Sequence, residues 1–394
     1  MKTKISDTSI LKKLPMSITI NDDPYIISET TNGIILFSAI CPHQHNVVSE
    51  LEEDCWRCPS HEWTFDSNSG CSINAPTESL TQFPVFIENE FLFAELPGRN
   101  NQVIKKISGE KIFPKITLVG NACILLQWKS FNFLFDPWIE GPAVFGSWIT
   151  YPPSNISVED LPEIHGIFIS HEHSDHFHEF TLKKFNRNIP VFVPNFDNQR
   201  LELRLKKLGF TNITSLNSGE EFHLSDEIHI TSFSSGSVWN DSIFFMQLGS
   251  FSMLNINDAG FNWSLKNLIK NLDLLCIQFS PASGYPATWN HMNEKSKLDL
   301  MHTRNNGMLK MIEELVKILN PKMVLPFANF NQLYLPEHKK FVETQPRNSP
   351  QSVVDALKQY DVNVLNITPG ESWDGANNTF NRKNKLFQAK NLLE

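Results

Sequence analysis

Apolar and polar residues alternate along the first forty positions of the chain. The alternation covers residues 18–37 and is interrupted by turn sequences at 21–24 and 32–33. Because successive side chains of a strand point to opposite faces, this period of two predicts short, half-buried β-strands. Residues 86–96 repeat the pattern. We therefore expect the N-terminal part of the chain to be a small β domain.

The pattern changes after a polar segment at residues 97–106. Further strands are predicted by apolar runs at residues 116–119, 123–126, 133–135 and 166–169. Apolar residues spaced three and four apart predict helices at 201–208 and 309–319. Strands that alternate with helices indicate a layered α/β domain, which differs in class from the β domain before it.

These patterns divide the 394 residues into two domains, a length that is sufficient for two hydrophobic cores. We expect a first domain at residues 1–98, a linker at 99–112, a second domain at 113–372 and a polar C-terminal tail at 373–394.

Composition excludes several classes of partner. The net charge is −9 and no basic block stands out, which argues against a nucleic-acid surface. No apolar run approaches the length of a membrane span. Six cysteines in a chain of this length do not form a disulfide framework. We expect a cytoplasmic protein that binds neither nucleic acid nor membrane.

Two loops of the first domain each carry a cysteine and a histidine. Cys41 and His43 are two residues apart, and Cys58 and His61 are three apart. A Rieske [2Fe–2S] centre needs two thiolates on one iron and two imidazoles on the other, and this spacing supplies both pairs. The alternative is a Cys₂His₂ zinc site. The spacing favours the Rieske cluster, which carries one electron at a time.

A second group of ligands follows the apolar run that ends at residue 169. His171, His173, Asp175 and His176 form an H-x-H-x-D-H sequence. In an extended loop, residues two apart point the same way, so His171 and His173 can bind one metal while Asp175 and His176 serve another. This sequence at a strand end is typical of the metallo-β-lactamase fold.

Later loops should complete the second site. Asp258 ends a strand-like run and suits a bridging carboxylate. The histidine that usually lies between the first loop and that carboxylate is missing, because residues 234–241 contain none. Either the site is mononuclear, or a residue such as Asp241 or His291 completes it.

The pairing of the two sites indicates the chemistry. An electron carrier joined to a metal pocket suggests reduction of a molecule bound there, and dioxygen is the obvious candidate. Zinc cannot accept electrons, whereas histidine and carboxylate ligands also suit iron, so we expect mononuclear or dinuclear iron. The residues with catalytic roles would be His171, His173, Asp175, His176 and Asp258. The alternatives are a metal-dependent hydrolase with a redox-sensing Rieske domain and a simple electron carrier.

Beyond the metal motifs, the chain resembles the CMP-N-acetylneuraminate (CMP-sialic acid) hydroxylases between about residues 40 and 350. The resemblance is carried by residues 135–138, 141–143, 148, 170–176, 282–286 and 326–328. It implies an N-terminal Rieske β-domain followed by a metallo-β-lactamase-like αββα sandwich. It also implies an oxygenase that hydroxylates an N-acetyl methyl group, with electrons supplied by a ferredoxin or a small b-type cytochrome and its reductase.

The resembling segments also suggest how a small polar substrate would be held. Four aromatic residues would wall the metal from water, namely Trp138, Trp148, Tyr285 and Trp289. An anionic sugar nucleotide would in addition need local positive charge, for which the nearest candidates are Lys339, Lys340 and Arg347.

Overall fold

The structure is a computed structural model of the chain. It describes residues 1–21, 23–43, 47–52, 54–58, 62–97, 104, 106–235 and 240–382, without the side chain of residue 264. These residues form two compact units. The first consists mainly of Met1–Ile104 and Gly260–Ile269, and the second contains most of the remaining chain. The segment at 260–269 therefore belongs to the first unit although it lies far inside the second in sequence.

The first unit is built from β-strands. They are β1 (Lys2–Asp7), β2 (Met16–Ile20), β3 (Asp23–Thr30), β4 (Gly33–Ser38), β5 (Glu50–Glu52), β6 (Cys55–Arg57), β7 (Thr64–Asp66), β8 (Gln82–Glu88) and β9 (Phe91–Glu95). One sheet has the order β1-β9-β8-β4-β3-β2, and a smaller sheet has the order β5-β6-β7. Short 3₁₀ helices lie at Thr8–Lys13 and Trp263–Asn267. The predicted β domain is confirmed.

The predicted β segment at 86–96 contains a hairpin turn. The alternation there does not reveal the turn, but the chain reverses between β8 and β9. Asn89 and Glu90 occupy the turn with φ of 46° and 66°. Left-handed backbone at both central positions matches the twist of a tight hairpin, so the reversal needs no glycine. Alternation continues on both sides of the turn and conceals it.

The second unit contains the remaining strands. In chain order they are β10 (Lys115–Leu118), β11 (Ile124–Trp128), β12 (Phe131–Phe135), β13 (Trp148–Thr150), β14 (Gly166–Phe168), β15 (Val191–Pro194), β16 (Ile213–Leu216), β17 (Glu221–Ser225), β18 (Ile228–Ser234), β19 (Ser242–Leu248), β20 (Phe251–Asn257), β21 (Leu274–Gln278), β22 (Met323–Phe327), β23 (Asn331–Leu333), β24 (Asn363–Val364), β25 (Ser372–Asp374) and β26 (Thr379–Asn381). Two large sheets result, with the orders β16-β15-β14-β12-β11-β10-β25-β26 and β17-β18-β19-β20-β21-β22-β24, and β13 pairs with β23.

Helices cover the two sheets of the second unit. They are α1 (Glu179–Leu182), α2 (Arg200–Lys207), α3 (Glu294–Leu319), α4 (Lys339–Thr344) and α5 (Pro350–Leu357), with 3₁₀ turns at Val158–Asp160 and Pro336–His338. The apolar face of α2 packs on β14 and β15 of the first sheet, and α5 contacts β22 of the second. Phe168 and Phe244 join the sheets, with ring centroids 5.6 Å apart. The order of layers is that of the predicted αββα sandwich.

Two elements of this unit differ from expectation. The helix predicted at 309–319 is only the second half of α3, because Lys297, Arg304 and Asn305 are buried on its first half and interrupt the apolar period. The tail predicted from residue 373 begins with an edge hairpin, in which Trp373 is buried and pairs with Ile116. Residues 383–394 lie outside the described part of the chain.

Among the described residues, no helix has both the length and the apolar character needed to cross a membrane.

Candidate metal centres

The described cluster ligands, Cys41, His43 and Cys58, lie in two hairpin loops of the first unit. The first loop is closed by the bridge between Ile40 and Val47. The second follows β6 and is closed where the Cys58 amide donates to the Trp63 carbonyl at 2.8 Å. The ring of His43 stacks on that of Trp63, with centroids 4.8 Å apart and planes 2° from parallel. The two loops therefore face each other, as a shared cluster requires.

The donor atoms of these loops match the predicted cofactor. Cys41 and Cys58 are each only 1% exposed and share one small apolar core. These two thiols and the imidazole of His43 would supply three of the four ligands that a Rieske cluster takes. His61, the fourth predicted ligand, lies outside the described residues. The described donors fit the [2Fe–2S] cluster, and the complete ligand set stays a prediction.

The second predicted site lies in the second unit, where strands from both sheets end. The histidine loop follows β14, a buried strand parallel to its neighbours β12 and β15. Asp258 follows β20, and Asp241 directly precedes β19. Neither carboxylate is near the histidine loop in sequence, so the stacking of the two sheets brings the three segments together.

Two groups of ligand atoms share His171. Atoms of His171, His176 and Asp258 lie within 4.8 Å of one another, and so do atoms of His171, His173 and Asp241. Nε2 of His171 is 3.0 Å from Nδ1 of His173. Nε2 of His176 is 3.3 Å from Oδ1 of Asp258. Such spacings suit nitrogen and oxygen donors around one or two ions.

Asp175, the remaining predicted ligand, borders the same place. Its Oδ2 is 3.7 Å from Nε2 of His176. Both His176 Nε2 and Asp258 Oδ1 are buried without a hydrogen-bond partner among the described residues. Because an unsatisfied buried polar atom is costly, this pair of atoms is better explained as ligands that await a cation. A metal ion therefore fits this site.

A carboxylate that the sequence did not single out orients His176. Oδ2 of Asp136 is 2.9 Å from His176 Nδ1, and the same carboxylate accepts hydrogen bonds from the Ser170 amide and hydroxyl, both at 2.7 Å. Asp136 is buried and has a left-handed φ of 41°. A carboxylate on the far nitrogen fixes the tautomer, so that Nε2 of His176 would face a bound metal ion. The sequence signals were an acidic residue directly after the buried strand β12 and its place in the segment 135–138, which carries the family resemblance.

Hydrogen bonds also hold the strand ends in register. Asn257, at a φ of 47°, donates to the Ser242 carbonyl at 2.9 Å and accepts from the Asp258 amide at 2.6 Å. The hydroxyl of Ser242 donates to the Ser170 carbonyl at 2.8 Å. These contacts connect the ends of β14, β19 and β20, and they position Asp258 against the histidines.

Burial and neighbouring charges together shift the pKa values of the residues in this cluster. Burial lowers the pKa of His176, but Asp258, Asp136 and Asp175 raise it more, and the pKa lies well above its ordinary value. Burial raises the pKa of Asp258, but His176 and His171 bring it below the ordinary value. The pKa of His171 is well below normal because of its burial and, next, the charge of His176.

Two carboxylates of the cluster have pKa values above the ordinary value. Burial, followed by the charge of Asp258, raises the pKa of Asp241 to about 7. Burial likewise raises the pKa of Asp175. Carboxylates that resist ionisation this close together are the expected condition of a cation site without its cation. The donor set and its carboxylates therefore fit a bound cation.

The structure thus brings together His171, His173, Asp175, His176 and Asp258. Of the two residues named to replace the missing histidine, Asp241 lies in the cluster. His291 does not: it is exposed in the loop before α3, with its ring 5.0 Å from that of Trp289. Of the two alternatives, the structure places the carboxylate just before β19 in the cluster, and not the later histidine.

The predicted aromatic wall stays a prediction, and two of its members have other surroundings. Trp138 is buried, and its indole donates to the Gly141 carbonyl at 2.8 Å, so it serves the core. Trp289 is 47% exposed and contacts Tyr285, with ring centroids 4.6 Å apart.

Comparison with known families identifies both domains. Residues 3–84 match the Rieske [2Fe-2S] domain, and residues 131–323 match the Beta-lactamase superfamily domain. The predicted pair of domains, in this order, and the [2Fe–2S] cofactor class of the first are therefore confirmed.

Alignments with curated relatives span most of the chain. The cytidine monophosphate-N-acetylneuraminic acid hydroxylase of Pongo pygmaeus is 27% identical over 371 residues, which cover 89% of this chain and 63% of that protein. The hydroxylase of Xenopus laevis is 28% identical and covers 88% of this chain and 61% of its own. The predicted resemblance is confirmed, and the chain spans less than two thirds of the length of these relatives.

A solved structure that resembles this chain is CmlA, a diiron β-hydroxylase from Streptomyces venezuelae. It is 17% identical, with a TM-score of 0.45 over 70% of this chain and 55% of its own. A likeness of this degree carries no information about function.

Proposed function

We propose that this chain, which joins a Rieske [2Fe–2S] domain to a domain of the β-lactamase superfamily, is an iron-dependent monooxygenase. The observation that carries the proposal is the buried cluster around His171 in a chain that also presents facing Rieske loops. A hydrolase needs only the metal cluster and has no need of the Rieske loops. Similarity to hydroxylases along 89% of the chain supports the same reading.

The proposed reaction balances with an external reductant. A substrate C–H bond, dioxygen, two electrons and two protons yield a C–OH bond and water. Iron held by this cluster would supply the activation of dioxygen, and the [2Fe–2S] cluster would deliver electrons one at a time. The electrons would come from a ferredoxin or a small b-type cytochrome with its reductase.

The residues of the second unit have separate parts in this proposal. His171 belongs to both ligand groups, so its position determines where the two groups meet. Asp136 holds the ring of His176 so that its Nε2 points to the metal. Asp241 and Asp258 each supply negative charge to one of the two ligand groups and complete the donor set in place of a further histidine.

We propose a small polar N-acyl or amino compound as the substrate, with CMP-N-acetylneuraminate the first to try, because the similar relatives are named for its hydroxylation. We place the enzyme in the cytoplasm, since its cysteine usage suits a reducing compartment.

Isotope labelling tests the proposal directly. Reduced protein is incubated with the sugar nucleotide and ¹⁸O-labelled dioxygen, and the mass of the product is measured by mass spectrometry. Incorporation of one labelled atom is the expected result. A product that forms without dioxygen and takes its oxygen from water would refute the monooxygenase and favour the hydrolase. Metal analysis gives an independent test, because the oxygenase requires iron in the second unit and zinc there would contradict it.

A further inference from the structure

A pocket of about 340 Å³ lies within the second unit. Its wall combines aromatic rings, side-chain amides and one guanidinium, contributed among others by Tyr151, Phe279, Phe330, Asn329, Asn331 and Arg347. Flat apolar faces combined with a few placed polar groups are the usual composition of a small-molecule site.

Arg347 is the cation of this wall, and no carboxylate in the described part of the chain balances its charge. Its guanidinium donates to the carbonyl of Pro281 at 3.2 Å, to Oδ1 of Asn331 at 3.0 Å and to the Asn331 carbonyl. All these acceptors are neutral, and no carboxylate among the described residues forms an ion pair with it. Its Nε has no hydrogen-bond partner there either. Burial lowers the pKa of Arg347 to about 10, which reflects the cost of an uncompensated charge.

The other basic residues suggested by the sequence have a different environment. Lys339 is exposed and lies 3.8 Å from Glu343, and Lys340 is exposed on α4. A solvated lysine gains little from a further anion. Arg347 is half-buried and has no carboxylate partner among the described residues, so it gains more from an oxyanion, which matches its fork of N–H groups.

Side-chain amides connect the pocket to the predicted metal centre. Asn331 Nδ2 donates to Asn121 Oδ1 at 3.4 Å, and Asn121 Nδ2 donates to Asp175 Oδ2 at 3.5 Å. Asn329 is fixed in the same wall, because its Oδ1 accepts from the amides of Phe279 and Ser280 at 3.1 and 3.0 Å. A ligand in this pocket would therefore lie two side-chain hydrogen bonds from a predicted metal ligand.

We infer that this pocket binds an oxyanion of the substrate, a carboxylate or a phosphate, with Arg347 as its counter-ion. The inference rests on the proposed monooxygenase and narrows its substrate class to small organic acids or nucleotides. The aromatic rings of the wall would cover the apolar faces of the same molecule, and the amides would bind its hydroxyl or acyl groups.

Equilibrium binding tests the inference without turnover. The holoprotein, free of oxygen and reductant, is titrated by calorimetry with CMP-N-acetylneuraminate, CMP, N-acetylneuraminate and the neutral methyl ester of N-acetylneuraminate. Arg347→Gln should lower the affinity for CMP-N-acetylneuraminate by about ten- to a hundredfold, which is the range for loss of a charged hydrogen-bond partner. The affinity for the neutral ester should stay within about twofold of the wild type. Arg347→Lys should recover part of the loss. The fragment that loses affinity, CMP or N-acetylneuraminate, identifies the phosphate or the carboxylate as the bound group.

Matched variants separate binding from folding. Lys340→Gln removes the same charge from the surface and should bind every probe as the wild type does. Thr368→Glu keeps Arg347 and adds a carboxylate to the pocket wall, so it should weaken the anionic probes alone even if Arg347→Gln fails to fold. Equal losses for neutral and anionic probes, or unchanged binding in Arg347→Gln and Thr368→Glu, would overturn the inference. These binding measurements do not depend on the labelling experiment, which tests the proposed function.

Discussion

Replacing Asp136 with asparagine should weaken metal binding in the second unit without removing any predicted metal ligand. The substitution keeps the size of the side chain but removes its charge. It also places an amide NH₂ where the carboxylate accepts hydrogen bonds from Ser170 and faces His176. At least one of these three contacts must be lost, because only one oxygen of the new side chain can accept.

The magnitude follows from the part that this carboxylate plays. Loss of a partner behind a metal-binding histidine typically costs ten- to a hundredfold in metal affinity, which corresponds to about 1.4–2.7 kcal/mol. The short contact of 2.9 Å to His176 and the burial of Asp136 favour the upper half of this range. Asp136 also helps to raise the pKa of His176, so its removal lowers that pKa and reduces competition by protons. This opposing effect keeps the expected loss below a hundredfold.

Competition with a chelator of known affinity measures the effect, with iron or zinc as the probe and metal content read by mass spectrometry. Asp273→Asn is the matched control, because Asp273 is also a fully buried carboxylate of the second unit but binds Lys111 and Ser252 and belongs to neither ligand group. Unchanged metal affinity in Asp136→Asn, or an equal loss in Asp273→Asn, would refute the orienting role.

Four further predictions use other parts of the structure. His43→Cys should shift the visible and electron-paramagnetic spectra toward those of an all-cysteine ferredoxin, and an unchanged spectrum would exclude His43 as a ligand. His171→Ala should lose the metal of the second unit but keep the Rieske spectrum, since separate units hold the two sites; joint loss of both would contradict this division. Asp241→Ala should lower metal occupancy whereas His291→Ala should not, as elemental analysis would show, because only Asp241 lies in the cluster; the opposite result would make His291 the missing ligand. Burial raises the pKa of Asp273 but contacts led by Lys111 lower it overall, so its contribution to stability is full above its unfolded pKa of about 3.9 and is lost as the pH falls through the lower folded pKa. The stability deficit of Asp273→Asn in urea, about 1–3 kcal/mol at neutral pH, should therefore shrink in acid, and a deficit independent of pH would contradict the assignment.

Local sequence was sufficient for the features whose residues lie close together in the chain. Cys41 and His43 share one loop, and His171 to His176 share another, so their spacing alone indicates a common ligand geometry. Strand alternation before residue 40 was equally local. The hydrophobic pattern did not reveal the turn at Asn89. It also did not predict the first half of α3, where charged residues are buried.

Tertiary structure decided what comes from distant segments. Asp136, Asp241 and Asp258 meet the histidine loop only because β12 and β20 end, and β19 begins, at the same place where β14 ends. No spacing in the chain encodes that meeting. The same holds for Arg347, whose charge became informative only when its neighbours proved to be neutral carbonyls and an amide. Sequence specifies which donor atoms the chain possesses, whereas burial and the pairing of strands decide which of them face one another without water, and that arrangement determines which groups need a metal or an anion.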